Sequence, residues 1–77
     1  MKTYIFPIEI EESSDGWSVR VPSLENRGAA TWGRSRDEAL RNIQEVAQMV
    51  VEEMIEDGES LPADVRVSET PAVAISV

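Results

Sequence analysis

Thr31-Trp32-Gly33-Arg34-Ser35-Arg36-Asp37-Glu38-Ala39-Leu40 is where a run of short strands gives way to one long helix. Ser35 and Glu38 have the spacing of a capping box. In that motif the serine hydroxyl accepts from the Glu38 N–H, and the Glu38 carboxylate accepts from the Ser35 N–H. Apolar residues then recur at Ala39, Leu40, Ile43, Val46, Ala47, Val50, Val51, Met54 and Ile55. That spacing predicts one helical face kept from about Arg36 to Asp57, ~33 Å long. Gly58 is placed for the left-handed position just past the end, and Pro62 follows as a stop.

Upstream, residues 3 to 11 alternate. Tyr4, Phe6, Ile8 and Ile10 share one face, opposite Thr3, Ile5, Pro7, Glu9 and Glu11. Pro7 lacks an N–H, so it should sit at an edge or a bulge. Ser13-Ser14-Asp15-Gly16 predicts a turn. Trp17, Val19 and Val21 then alternate with Ser18 and Arg20 as the returning strand, which Pro22 ends. Residues 23 to 28 read as a polar loop, and Ala29 to Trp32 as a third short strand. Downstream of the helix, Ala72 to Val77 alternate once more, with Val73, Ile75 and Val77 turned inward.

The expected architecture is α+β, in the order βββαβ. Three antiparallel strands form a meander, and a fourth returns by a right-handed crossover to run parallel to the first, in strand order 3-2-1-4. The helix covers the face bearing Tyr4, Phe6, Ile8, Trp17, Val19 and Val21. The other face carries Ile5, Ser18, Arg20, Ala72, Ala74 and Ser76. One helix cannot cover both, so the bare face needs polar character or a second subunit.

Residues 1–77 read as one small domain. A chain of this size buries only ~60% of its unfolded surface, which favours self-association as a dimer or tetramer. Cysteine and histidine are both missing from the sequence. Thiolate chemistry is thereby excluded, as are the commonest general base and metal ligand. No apolar run reaches the roughly 20 residues of a membrane span and no signal-peptide pattern is present, so a cytoplasmic location is expected.

The net charge is −8. It argues against nucleic acid as a direct partner, which would call for clustered Lys and Arg. It suits a basic protein partner. The charge is uneven: Arg27, Arg34, Arg36 and Arg41 crowd the start of the helix, whereas Glu45 to Glu69 holds eight acids and one base, Arg66. Glu52, Glu53, Glu56 and Asp57 stand at the helix C-terminus, where the dipole disfavours them.

Glu9, Glu11, Asp15, Asp37 and Glu38 are the carboxylates that could be assembled into a metal site. Their spacing does not favour one: Asp15 is explained by the turn, Glu38 by the cap and Asp37 by the helix dipole. Ser13, Ser14, Thr31 and Ser35 have no base to activate them. No catalytic residue, metal or cofactor is expected.

Tyr4, Ile8 to Glu11, Asp15-Gly16-Trp17-Ser18-Val19, Val21-Pro22-Ser23-Leu24, Thr31-x-Gly33-x-Ser35-x-x-Glu38-Ala39-Leu40 and Gly58-Glu59-Ser60-Leu61-Pro62 together resemble the N-terminal domain of the HicB-like antitoxins. The resemblance implies a partial RNase H-like fold and an oligomer. It implies a non-enzymatic role: binding and blocking a small basic toxin of the HicA type, an mRNA-cleaving ribonuclease. The chain departs from the family pattern at Pro22-Ser23-Leu24-Glu25-Asn26-Arg27-Gly28-Ala29, ahead of the third strand. Many members carry a C-terminal DNA-binding domain, and this chain ends with the fourth strand, so DNA binding is not expected of it.

The partner contacts expected on this reading are Glu9, Glu11, Glu25, Asn26 and Trp32, an acidic rim around an aromatic anchor. The rival patch is Glu52, Glu53 and Glu56. The alternative function is a stand-alone domain of the same fold with an unrelated regulatory or scaffolding partner.

Overall fold

The structure, a computed structural model, describes residues 3–60 and 72–76. The order is β1 (Thr3–Pro7), β2 (Glu9–Ser13), β3 (Gly16–Arg20), a 3-10 segment (Pro22–Arg27), β4 (Ala30–Gly33), α1 (Arg36–Glu56) and β5 (Ala72–Ser76). The α+β class and the order of strands, helix and strand are as the sequence reads. Pro62 and the inward role of Val77 lie outside the described residues.

The first strand is divided. β1 ends at Pro7, which has no N–H to extend a ladder, and β2 starts after the buried Ile8. The two halves take different partners: β1 pairs with β5, and β2-β3-β4 form a three-stranded antiparallel meander.

The last strand corrects the expected topology. β5 runs antiparallel to β1, not parallel, with Thr3 opposite Ser76 and Pro7 opposite Ala72. The parallel direction follows from counting strand directions through a right-handed crossover. Positions 57 to 71 separate α1 from β5. At ~3.3 Å per residue that length can span ~50 Å, more than the helix itself, so it does not fix a direction.

The core lies between α1 and the strands. Ala39, Ile43, Ala47, Val51 and Met54 of α1 pack with Phe6, Ile8, Val19, Val21, Val73 and Ile75. Tyr4, Ile10, Trp17, Leu40, Val46 and Val50 pack partly buried around them. Burying a side chain such as Ile43 contributes about 1.5–3 kcal/mol. Ile55, assigned to the inner face by spacing, is largely exposed.

The helix docks closest at its start. A Cβ on Gly33 would lie 2.4 Å from the Ala39 backbone nitrogen and 2.8 Å from its Cα. Only glycine at 33 lets strand and helix approach so far. Ser35 caps α1, its Oγ accepting from the Glu38 N–H at 3.1 Å. The Glu38 carboxylate, however, accepts from the Arg34 N–H at 3.1 Å rather than from Ser35. At the other end the Gly58 N–H donates to the Ile55 carbonyl at 3.1 Å, and the Glu59 N–H to Met54 at 2.9 Å. This is the Schellman closure that Gly58 predicts.

The loop after β3 is less polar than it reads. Leu24 is buried in the core, and the Val21 N–H donates to the Ala29 carbonyl at 2.9 Å, closing the 3-10 segment on itself. From that closed segment Glu25 reaches Arg20 on the sheet and Arg27 reaches Glu53 on the helix.

Candidate partner-binding face

The two-residue turn Ser14-Asp15 pairs Ser13 with Gly16 and so fixes the hairpin register. Two cross-strand rows follow on the face away from α1. Glu9 lies opposite Arg20, which lies opposite Ala30; Glu11 lies opposite Ser18, which lies opposite Trp32. Side chains two apart on a strand share a face, so the alternation that buries Val19 delivers Ser18 and Arg20 to the outside. A shallow depression of about 520 Å³ is lined there by Glu9, Glu11, Ser18, Arg20, Ala30 and Thr31, among others.

Arg20 is the hub of this face. Its Nε donates to Glu9 Oε2 at 2.8 Å, its Nη2 contacts the same oxygen, and its Nη1 bonds Glu25 Oε1. The guanidinium pKa is raised above its ordinary value, first by the hydrogen bond to Glu9 and then by the charge of Glu25. All three side chains remain well exposed. Glu25 thus joins the face through Arg20, even though it belongs to the 3-10 segment.

Trp32 is pinned at its backbone and open at its ring. Asn42 Nδ2, from α1, donates to the Trp32 carbonyl at 2.9 Å. The indole leans across β3 onto Gly16, where a Cβ would fall 2.5 Å from Cζ2. Trp32 still exposes 44% of its surface. Trp17 points the other way and packs against the core, as its place in the alternation predicts.

Of the five expected contacts, four come together: Glu9, Glu11 and Trp32 by register, and Glu25 by ion pairing. Asn26 is exposed beside Glu25, and no side-chain contact among the described residues draws it to the others. Alternation places Arg20 on this face without showing that it gathers Glu9 and Glu25. The signal was available, because pairing Ser13 with Gly16 sets Glu9 against Arg20.

The rival acidic patch has a different character. Arg27 reaches from the 3-10 segment to the end of α1, where it meets Glu53 at 3.2 Å, Asp57 at 3.6 Å and Glu59. Acids that offend the helix dipole there gain a cation from another element. Glu52 and Glu56 stay outside this cluster. Among the described residues, no three carboxylates converge so as to hold a metal ion, and no helix is long and apolar enough to cross a membrane.

This helix-on-meander arrangement is that of solved antitoxin domains. The N-terminal domain of the Burkholderia pseudomallei antitoxin HicB superposes with a TM-score of 0.70 at 25% identity, over 95% of this chain and 96% of that one. The Burkholderia pseudomallei antitoxin HicB itself gives 0.66 at 25% identity, over 95% of this chain and 62% of that one. The sequence model of the HicB-like antitoxins of bacterial toxin–antitoxin systems matches residues 6–73, and this chain belongs to that family. A curated relative, an uncharacterized 14.9 kDa protein in the rep-hol intergenic region of Haemophilus phage HP1, is 38% identical over 58 residues. The match covers 75% of this chain and 42% of that relative, so this chain spans well under two thirds of its length.

Proposed function

We propose that this chain is the toxin-binding domain of an antitoxin. It neutralises a small basic HicA-type mRNA-cleaving toxin by direct protein–protein contact. It acts in the cytoplasm as a homo-oligomer and has no catalytic step of its own. Glu9, Glu11, Glu25, Asn26 and Trp32 make the contacts. The acids steer a basic partner and the pinned indole anchors it, as rim charges and buried aromatics do at interfaces. Membership of the antitoxin family, matched over residues 6–73, is the observation that carries this reading.

Co-expression with a HicA-type toxin tests it. The expected result is restored growth of the host and a co-purifying complex whose association slows as salt rises. Toxicity that persists, with no complex formed even at low ionic strength, overturns it in favour of an unrelated regulatory or scaffolding partner.

A further inference from the structure

We propose that Glu11 and Trp32 form a receptor for one arginine side chain of the basic partner, with Ser18 as the floor between them. The proposal rests on the reading of the outer sheet face as the partner surface, and it names the group that face reads. Glu11, Ser18 and Trp32 occupy one cross-strand row. The small central serine lines the outer depression together with Glu11, and the aromatic ring stands on the next strand of the same row. The indole leans onto Gly16, on the strand that also carries Ser18, and Gly16 lies diagonally across from Glu11 on the neighbouring strand.

Charge selects the site within the face. Glu9 and Glu25 already hold Arg20. Glu11 has no ion pair or hydrogen bond from its side chain among the described residues, so it is the uncompensated charge of the row. Glu9, Glu11 and Glu25 against Arg20 leave the face at −2, which repels anions and admits a cation. Preorganisation selects it as well. The Trp32 backbone is fixed by Asn42 and its ring rests on Gly16, so little freedom remains to be lost on binding.

Arginine fits this pair and lysine does not fit it equally. A planar guanidinium can stack on the indole and still direct N–H groups to a carboxylate. A lysine ammonium is a compact and strongly hydrated point charge.

The test uses the full chain and two N-acetylated peptides of equal length, one of arginine and one of lysine, titrated by calorimetry at low ionic strength. The arginine peptide is expected to bind roughly 2- to 5-fold more tightly. Glu11→Gln and Trp32→Leu should each bring the ratio of the two affinities to one, while Glu52→Gln, on the helix, leaves it intact. Glu11 is exposed, so its variant reads out the site even if Trp32→Leu fails to fold. Equal binding of the two peptides to the unmodified chain, or a preference that survives Glu11→Gln, overturns the proposal. No toxin is needed for this measurement. A chain that prefers arginine but neutralises no HicA-type toxin loses the proposed function and keeps this site; the converse loses the site alone.

Discussion

Arg20 and Arg27 each gather carboxylates, but they serve different ends. Arg20 lies on the open sheet face with 45% of its side chain exposed, between two acids that are more exposed still. Arg27 exposes 21% and ties the 3-10 segment to the end of the helix, where Glu53, Asp57 and Glu59 meet it. Exposed ion pairs contribute little to stability, about 0–1 kcal/mol each. Arg27 keeps less contact with water, joins elements far apart in sequence, and offsets three acids at a helix end whose dipole disfavours them. The same composition therefore yields a staple in one place and an open charged surface in the other. Acid content alone does not distinguish them; burial of the central cation does.

The largest expected effect separates the two regions by moving the helix. Gly33→Ala would drive a methyl into the Ala39 backbone, which has no flexible end to yield. Overpacking of this kind costs about 3 kcal/mol. Chemical denaturation should show that loss. The Arg27 cluster spans helix and loop and should come apart with it, whereas the Arg20 cluster lies wholly in the meander and its neighbouring turn. Unchanged stability in this variant would mean that the close approach of β4 and α1 is wrong.

A smaller effect compares the cations directly. Arg27→Met should cost about 1 kcal/mol and lower Tm by roughly 4–8 °C, because three carboxylates lose their shared partner. Arg20→Met should leave Tm unchanged within error, since its contacts are open to water. High salt should weaken the Arg27 contribution in the unmodified chain. If both variants melt together, the division into staple and surface fails.

Much of this was legible in the sequence, for identifiable reasons. The helix is overdetermined: Ser35 caps it, Ala39 to Met54 keep one period, and Gly58 closes it. Alternation alone put Glu9, Glu11, Ser18 and Arg20 on the outer face and Val19 on the inner. What the sequence did not settle depends on contacts between distant elements. The direction of β5 is set by pairing with β1, across a connection too long to constrain it. Leu24 sits among polar residues and enters the core only because the 3-10 segment folds back through Val21 and Ala29. Arg27 and Glu53 are 26 positions apart, so no local pattern joins them. Glu25 reads as a contact from its place in a loop, whereas Arg20 is what brings it to the face. Asn26, in the same loop, gains no such link among the described residues.

The finest test asks whether the open face or the helix end meets a basic partner. Both are candidates on exposure: Trp32 stands on one, while Met49 and Ile55, 66% and 47% exposed, stand on the helix. Reversal of charge at Glu9 and Glu25 to lysine should slow association with a HicA-type toxin about tenfold at low salt. The same reversal at Glu52 and Glu56 should change it little. The opposite ordering assigns the encounter to the helix end. Arg20→Gln then sharpens the result by sign. Removing that cation takes the face from −2 to −3, so steering alone predicts faster association. Arg20 also holds Glu9 and Glu25 in place through one oxygen of each carboxylate, Glu9 Oε2 and Glu25 Oε1. Loss of that positioning predicts faster dissociation. A variant with both rates raised would show that Arg20 trades encounter speed for a fixed geometry. A variant with slower association would mean that the arginine itself, and not the acids around it, faces the partner.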